Sequence, residues 1–225
     1  MNVKLKEKTM ATKSKETEKS SKVIPMHSAP EEKQTPNPAW QFNLDHVHSW
    51  AYWDNAFTDE ECDRIIEIGN DRTIREAKTR GEDANKVRKS EIAWLYPSDD
   101  LDWAYRKMTD VILNLNERFF KFDLFGATEG FQFTKYTAPG GKYGRHVDCA
   151  PGTLIRKLSF TVQLSKPEDY EGGDLCLYVG EEPEVMKRER GHVALFPSYT
   201  LHEVTPVTKG TRYSLVSWIT GKPFK

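Results

Sequence analysis

Before residue 130, the large apolar residues of the chain recur at helical spacing. Thr58-Asp59-Glu60-Glu61 has the sequence of a capping box, in which a hydroxyl and a carboxylate satisfy each other's backbone donors at a helix start. A second helix is predicted from about Asp100 to Phe119, because one apolar stripe runs along it. We interpret this stripe as core and not as a cofactor site. Its members are Leu101, Ala104, Met108, Val111, Ile112, Leu115 and Phe119.

From about Gly130 the pattern changes to short β-type runs, separated by Gly, Pro and charged turns. Such strands after an N-terminal helical layer predict a mainly β protein built as a sandwich or jelly-roll. The last two runs are expected to form a hairpin whose three-residue loop, Thr208 to Gly210, pairs Val207 with Thr211. The predicted strands are roughly 131–137, 144–148, 157–164, 174–179, 192–196, 201–206 and 211–219.

The first 38 residues differ from the rest in composition. They are rich in Lys, Glu, Ser, Thr and Pro and have almost no large apolar groups, so they cannot bury enough surface to offset the entropy of ordering. We predict a disordered polar tail over 1–38 and a single domain over 39–225. In that domain a helical layer is expected at about 50–120 and a jelly-roll core at about 130–220. A docking arm for an acidic partner is the alternative for the tail.

Charge and cysteine content narrow the class of partner and the compartment. The formal net charge of -1 gives no electrostatic reason to expect nucleic acid or an anionic membrane as a partner. No apolar run is long enough to span a bilayer, and the N-terminus lacks the apolar stretch of a secretory signal. Three scattered cysteines are a poor disulfide framework. These features predict a cytoplasmic protein and set no oligomeric state.

An imidazole and a carboxylate lie two residues apart at His146 and Asp148. On a strand, residues i and i+2 project from the same face, so both side chains can reach one point. His202 is the best third ligand, since two imidazoles and one carboxylate form the facial triad of non-haem Fe(II) oxygenases. His-x-Asp alone is a common spacing. His46-Val47-His48 repeats the spacing without an acidic partner, and we interpret it as structural or exposed.

The predicted hairpin also places an arginine near the metal. With a three-residue loop, Arg212 pairs with Pro206 and shares the face of His202. Four residues of strand, about 13 Å, separate the two sites, which fits a five-carbon diacid once side-chain reach is counted. A planar guanidinium suits a carboxylate because it donates two parallel hydrogen bonds. A surface arginine on an edge strand is the alternative, and a two-residue loop would turn Arg212 to the opposite face.

Several motifs, in order, resemble those of the prolyl-hydroxylase branch of the Fe(II)/2-oxoglutarate dioxygenases, including PKHD-type members from bacteria and phages. The resemblance covers about Trp50 to Ile219, and its specific part lies in the C-terminal half. It suggests a bacterial or phage origin. The matching stretches are 131–136, 143–148, 157–165, the Gly-Gly-acidic turn at 170–175, 191–198, and Arg212-x-Ser214.

The resemblance implies a double-stranded β-helix (a jelly-roll, cupin-like core) and a metal centre at the three predicted ligands. It implies that 2-oxoglutarate chelates Fe(II), that its far carboxylate lies on Arg212 with help from Ser214 and Tyr136, and that O2 is the oxidant. Ascorbate is an expected reductant. No side chain beyond the metal centre is expected to be catalytic.

The implied reaction is hydroxylation of a proline residue in a peptide or protein. Tyr143, Arg156 and Trp218 match positions that face the substrate or the mouth of the site in this branch, although a strand aromatic and a solvated arginine are the plain alternatives. Trp218 also occupies the position at which nucleic-acid demethylases of the superfamily carry a second arginine. The carboxylate of Asp148 disfavours halogenation, since halogenases replace it with a small residue.

Two other functions remain open at this point. The first keeps the oxygenase chemistry and changes the substrate to a free amino acid or another small metabolite. The second is a jelly-roll binding module that keeps a metal for structure only. The sequence does not name the substrate or the atom that is oxidised.

Overall fold

The computed structural model describes residues 47–72, 74–77, 87–149 and 155–223. The predicted tail over 1–38 lies outside these residues. Two helices, α1 (Asp59–Asp71) and α2 (Asp102–Leu115), precede most of the sheet, and α2 continues as a π-helical turn over Asn116–Phe120. The strands are β1 Ala51–Trp53, β2 Arg75–Glu76, β3 Arg88–Lys89, β4 Glu91–Leu95, β5 Leu124–Ala127, β6 Phe131–Thr137, β7 Gly141–His146, β8 Arg156–Gln163, β9 Tyr170–Gly172, β10 Leu175–Tyr178, β11 Glu184–Val185, β12 Val193–Pro197 and β13 Leu201–Gly221.

Both predicted helices are confirmed. The hydroxyl of Thr58 accepts a hydrogen bond from the Glu61 N–H, and the Thr58 N–H donates to the Glu61 carboxylate, so the capping box forms at the start of α1. All seven residues of the predicted apolar stripe on α2 and its π-helical extension are buried. No helix among the described residues is long and apolar enough to cross a membrane.

Two antiparallel sheets face each other, and β13 belongs to both. The major sheet has the order β1-β12-β8-β13-β6-β4-β2, and β5 pairs with the end of β13. In the minor sheet, the first half of β13 lies between β10 and β7, with β11 beyond β10, β3 beyond β7, and β9 also paired to β13. This is the predicted jelly-roll arrangement.

The predicted hairpin at 208–210 is wrong. Leu201–Gly221 is one continuous strand, in which Val207 pairs with Gly141 and Gly172 while Thr211 pairs with Thr137. Its first half is flanked by β10 and β7 and its second half by β8 and β6, so no edge is left for β13 to pair with itself. The strand instead passes from one sheet to the other near Gly210, which has a φ of 71°.

The predicted helical layer at 50–120 also contributes strands. β1 forms an edge of the major sheet beside β12, and β4 lies beside β6. β3 pairs with β7 and so belongs to the minor sheet. These runs are two to five residues long, too short to give a period-2 pattern that stands out from the helical signals around them.

The strand β8 has two different faces. Its residues Leu158, Phe160 and Val162 belong to a core cluster that the helices cover. On the opposite face, Ser159 and Thr161 line the space between the two sheets. A second apolar cluster, with Leu177, Val207 and Phe196 among its members, lies between the sheets around that space. The fold therefore places a polar inner lining inside a largely apolar sandwich.

Candidate metal centre

The three predicted ligands come together at one point. His146 is the last residue of β7 and pairs directly with His202 on β13. Asp148 follows two residues after the end of β7. Donor atoms of the three side chains all lie within 4.8 Å of one another. The prediction that His146 and Asp148 share a strand is wrong in one respect, because Asp148 sits in a bend, where its N–H donates to the Ser198 carbonyl at 2.9 Å.

Backbone carbonyls fix the orientation of both imidazoles. Nδ1 of His146 lies 2.8 Å from the Gly144 oxygen, and Nδ1 of His202 lies 2.9 Å from the Thr200 oxygen. Since a carbonyl can only accept, each Nδ1 carries a proton, which leaves Nε2 as the nitrogen that a metal can bind. These Nε2 atoms lie 3.6 Å and 3.4 Å from the two oxygens of Asp148. This second layer of contacts is the usual way in which a histidine is oriented toward a metal.

The carboxylate of Asp148 is held in its charged form. Burial alone would raise its pKa, but the hydrogen bond and charge of His146, the charge of His202 and the Ser159 hydroxyl together place that pKa well below the usual range. Ser159 Oγ donates to Asp148 Oδ2 at 2.7 Å. For His202, burial lowers the pKa, although Asp148 opposes the change. The carboxylate and the two imidazoles are therefore arranged as one set of donors.

This donor set fits a divalent transition metal. Two imidazole nitrogens and one carboxylate, with other coordination positions left open, are typical of non-haem Fe(II) sites. The fit rests on the convergence of the three donor atoms and on the carbonyls that turn both Nε2 lone pairs inward. The three residues could therefore hold iron.

Arg212 lines the same cavity as the three ligands. Its side chain is buried, Nε donates to Gln163 Oε1 at 3.1 Å, and Nη1 lies 3.5 Å from Ser214 Oγ. The guanidinium carbon is 5.5 Å from the ring centroid of Tyr136, which is paired with Arg212 across β6 and β13. Arg212 therefore lines the site, but it lies ten positions after His202 on one continuous strand, so the predicted hairpin and its four-residue spacing are wrong.

Two glycines allow β9 and the turn after it to pack closely on β13. Gly172 and Gly173 have φ values of 70° and 67°. A Cβ atom on Gly172 would lie 2.2 Å from the Pro206 oxygen, and one on Gly173 would lie 2.8 Å from Val207 and 3.2 Å from Cδ of Arg212. The Gly-Gly turn thus leaves room for the arginine side chain where it enters the cavity.

The three predicted substrate contacts have different surroundings. Tyr143 stacks on the imidazole of His146, with centroids 3.5 Å apart. Arg156 donates two hydrogen bonds to Glu129, at 2.7 and 2.6 Å, and its guanidinium carbon lies 3.9 Å from the ring centroid of Trp218. Tyr143 and Trp218 line the cavity. The charge of Arg156 is therefore already paired within the protein.

Several residues of the site were missed in the sequence. Ser159 and Gln163 support Asp148 and Arg212, and both lie on the inner face of β8. Polar residues at alternate positions of an otherwise apolar strand, from Ser159 to Gln163, were the signal available for them. Arg88 and Gln132 also line the cavity, and the two-residue strand β3 gave no pattern by which Arg88 could be placed.

Two other histidines contact residues outside the triad. The ring of His48 packs edge-on against the ring of Phe119, with the ring centroids 5.2 Å apart. His46 lies outside the described residues. His192 is buried, and its Nδ1 lies 2.8 Å from Asp54 Oδ1. Both have the contacts expected of structural residues.

The family model described as "2OG-Fe(II) oxygenase superfamily" matches residues 131–220, which run from β6 to the end of β13. A PKHD-type hydroxylase of Prochlorococcus marinus strain NATL1A is 33% identical over 153 residues, 65% of this chain and 69% of the relative. Another, from a different strain of the same species, is 44% identical over 91 residues, 40% of this chain, and there the chain spans only 41% of the relative's length.

Solved structures share the fold. A prolyl hydroxylase from Trichoplax adhaerens, in complex with a hypoxia inducible factor peptide fragment, superposes with a TM-score of 0.66 at 20% identity, covering 77% of this chain and 84% of that one. A Pseudomonas putida prolyl-4-hydroxylase gives 0.59 at 22% identity, with 78% and 94% covered. The chain belongs to the 2OG-Fe(II) oxygenase superfamily, in its PKHD-type branch.

Proposed function

We propose that the protein is an Fe(II)- and 2-oxoglutarate-dependent hydroxylase that acts on a proline residue in a peptide or protein. The observation that carries this proposal is one cavity lined both by the His146, Asp148 and His202 donors and by the buried guanidinium of Arg212. The triad suits iron, and an arginine without a carboxylate partner among the described residues suits the far end of a diacid.

Each residue has a role that its contacts support. The three ligands would hold Fe(II), and Ser159 would keep Asp148 oriented toward it. Arg212, with Ser214 and Tyr136, would bind the far carboxylate of 2-oxoglutarate, and Gln163 would hold the guanidinium in place. Bound iron and 2-oxoglutarate would supply the activation of O2, releasing succinate and carbon dioxide. The protein's own part is to orient the two ends of the co-substrate and to shield them.

The relatives support a prolyl substrate by analogy. They carry the name PKHD-type hydroxylase, and the Trichoplax structure is described with a bound peptide fragment. Trp218, at the cavity, lies beside Trp94, with centroids 6.1 Å apart, and such an aromatic surface suits a proline ring. We keep Tyr143 and Trp218 as proposed substrate contacts on this basis.

One observation favours a smaller substrate as the second candidate. Arg156, the arginine that was expected to face a peptide, already donates two hydrogen bonds to the Glu129 carboxylate. A free amino acid or another small metabolite would not need that arginine. Arg156 remains a proposed substrate contact only in a state in which Glu129 releases it.

Turnover measurements separate these functions. Protein with Fe(II), 2-oxoglutarate and ascorbate, the proposed reductant, would be offered proline-containing peptides and small metabolites, with succinate release and a mass gain of 16 as the readout. His202→Ala should abolish both. Turnover on small molecules and on no peptide would contradict the prolyl assignment. Succinate release from neither class, together with tight metal binding, would favour a non-catalytic binding module. The cytoplasmic location stays a prediction that fractionation of the source cells would test.

A further inference from the structure

Arg88 is a second buried arginine in the wall of the cavity that holds the triad. It lies on β3 and is 7% exposed. Its Nε donates to Ser90 Oγ at 2.8 Å and its Nη2 donates to Gln132 Oε1 at 2.6 Å. The guanidinium carbon lies 4.4 Å from the ring centroid of Tyr143. All of these partners are neutral.

Arg88 and Arg212 are held by the same set of groups. Each guanidinium contacts a glutamine Oε1, the hydroxyl of a serine two residues further along the chain, and the face of a tyrosine. The sequences Arg88-Lys89-Ser90 and Arg212-Tyr213-Ser214 repeat this spacing. Within the described ranges, neither arginine forms an ion pair. Arg88 thus has the environment of an anion-binding residue, as Arg212 does.

Two other arginines with low exposure, both in the described part of the chain, are neutralised internally. Arg156 has Glu129, and Arg190 has Asp63. A buried cation without an opposite charge is unfavourable, because burial removes its hydration and nothing replaces it. A guanidinium has five N–H donors, and the two hydrogen bonds of Arg88 to described residues leave three donors available to an external acceptor.

The two arginines lie at different places along the cavity. Arg212 is paired with Tyr136, whereas Gln132, the partner of Arg88, is paired with Val216. These two rows are four residues apart on both β6 and β13, or about 13 Å along the strands. A five-carbon diacid that reaches from Arg212 to the metal ligands would therefore leave Arg88 free for another molecule.

We propose that Arg88, with Ser90 and Gln132, binds a carboxylate of the substrate. This inference rests on the proposed function and specifies that the substrate carries a negative charge. The carboxylate has two possible sources, the free acid group of a small molecule or peptide C-terminus, and an acidic side chain beside the target residue. Both would meet the same planar fork of N–H donors.

Acid and amide forms of the same compound test the proposal without turnover. Holoprotein with Fe(II) and 2-oxoglutarate is kept free of O2, and calorimetry gives the affinity for N-acetyl-L-proline and for N-acetyl-L-prolinamide. A second pair is a proline peptide with Asp or Asn next to the proline. We expect the acid of one pair to bind on the order of tenfold more tightly than its amide. The pair that shows this preference identifies the source of the carboxylate.

Variants assign the preference to Arg88. Arg88→Gln should bind acid and amide equally, Arg88→Lys should keep part of the difference, and 2-oxoglutarate affinity should be unchanged in both. Lys89→Gln removes a positive charge from the same strand at an exposed position and should behave as the wild type. A loss of folding alone would weaken both members of a pair, so the ratio of the two affinities is the diagnostic quantity.

Three results would overturn the proposal: no acid-dependent binding in either pair, a preference that persists in Arg88→Gln, or a loss of 2-oxoglutarate binding in that variant. Admitting O2 afterwards tests the proposed function separately. If no succinate forms with any compound, the hydroxylase proposal fails, while the acid-to-amide ratio still decides the role of Arg88.

Discussion

The ring of Tyr143 lies nearly parallel to the imidazole of His146, with the centroids 3.5 Å apart and the planes at 18°. The ring thus restrains the imidazole of a proposed metal ligand from the side, while the Gly144 carbonyl restrains it through Nδ1. Through His146, Tyr143 can therefore affect the proposed metal site.

Tyr143→Ala should weaken metal binding by about tenfold. This is the lower end of the loss in affinity seen when a residue that orients a metal ligand is removed. Tyr143→Phe keeps the ring and should bind metal as the wild type does. Titration with Mn(II), followed by electron paramagnetic resonance, measures both affinities. Equal affinities in the alanine variant and the wild type would show that the stack has no effect on the ligand.

Ser159→Ala should lower both metal affinity and stability. The variant removes the hydroxyl that donates to Asp148 at 2.7 Å, with an expected loss of about 1 kcal/mol in the free energy of unfolding and about tenfold in metal affinity. Ser217→Ala on the neighbouring strand is the matched control, since its buried hydroxyl has no hydrogen-bond partner among the described residues. Urea unfolding and Mn(II) titration provide the two readouts. Identical behaviour of the two variants would contradict the role given to Ser159.

Arg212→Gln should raise the Kd for 2-oxoglutarate by on the order of a hundredfold, because a carboxylate bound in a buried pocket would lose its charged partner. Arg212→Lys should be intermediate, since it keeps the charge and loses the planar fork. Arg145→Gln, at an exposed position on β7, serves as the control. Calorimetry in the absence of O2 measures the affinities, and a Kd that does not change in Arg212→Gln would place the co-substrate elsewhere.

His192 should make the stability depend on pH. Burial lowers the pKa of its imidazole and the charge of Lys187 acts in the same direction, whereas Asp54 and Glu189 oppose the change. Since the unfolded chain takes up a proton at higher pH than the folded one, this contribution is complete above about pH 6.5 and is lost as the pH falls.

Replacement of His192 by glutamine should therefore flatten the pH dependence of the unfolding free energy between about pH 5 and 7, by no more than about 1.4 kcal/mol per pH unit. Denaturant titrations at several pH values test this difference. A steeper dependence in the variant would show that the imidazole is charged in the folded protein.

The sequence was sufficient for the residues whose chemistry is local. The capping box at Thr58 and the apolar stripe on α2 depend on neighbours a few positions away, and both appear as predicted. The triad was predicted from residue types and spacing. The bend that brings Asp148 to the two histidines, with its N–H bonded to the Ser198 carbonyl, was not predicted.

Long-range pairing explains what could not be predicted. The strand β13 is continuous because other strands pair with it on both sides. These partners, among them β6 and β10, come from separate and earlier parts of the sequence. Arg88 reaches the cavity only because β3 pairs with β7 and its side chain meets Gln132 on the opposite sheet. The local sequence around these residues does not predict either set of long-range contacts.

In the proposed function, the strand β13 carries residues that hold both ends of the co-substrate, His202 at the metal and Arg212 at the far carboxylate. His202 and Arg212 are ten positions apart on one uninterrupted backbone, so no loop between them can be lengthened to accept a longer diacid. Inserting one residue between them would turn Arg212 to the opposite face. The distance between His202 and Arg212 is thereby linked to the register of both sheets. Under the proposed function, the pairings that stabilise the fold would therefore also set the length of diacid that the site accepts.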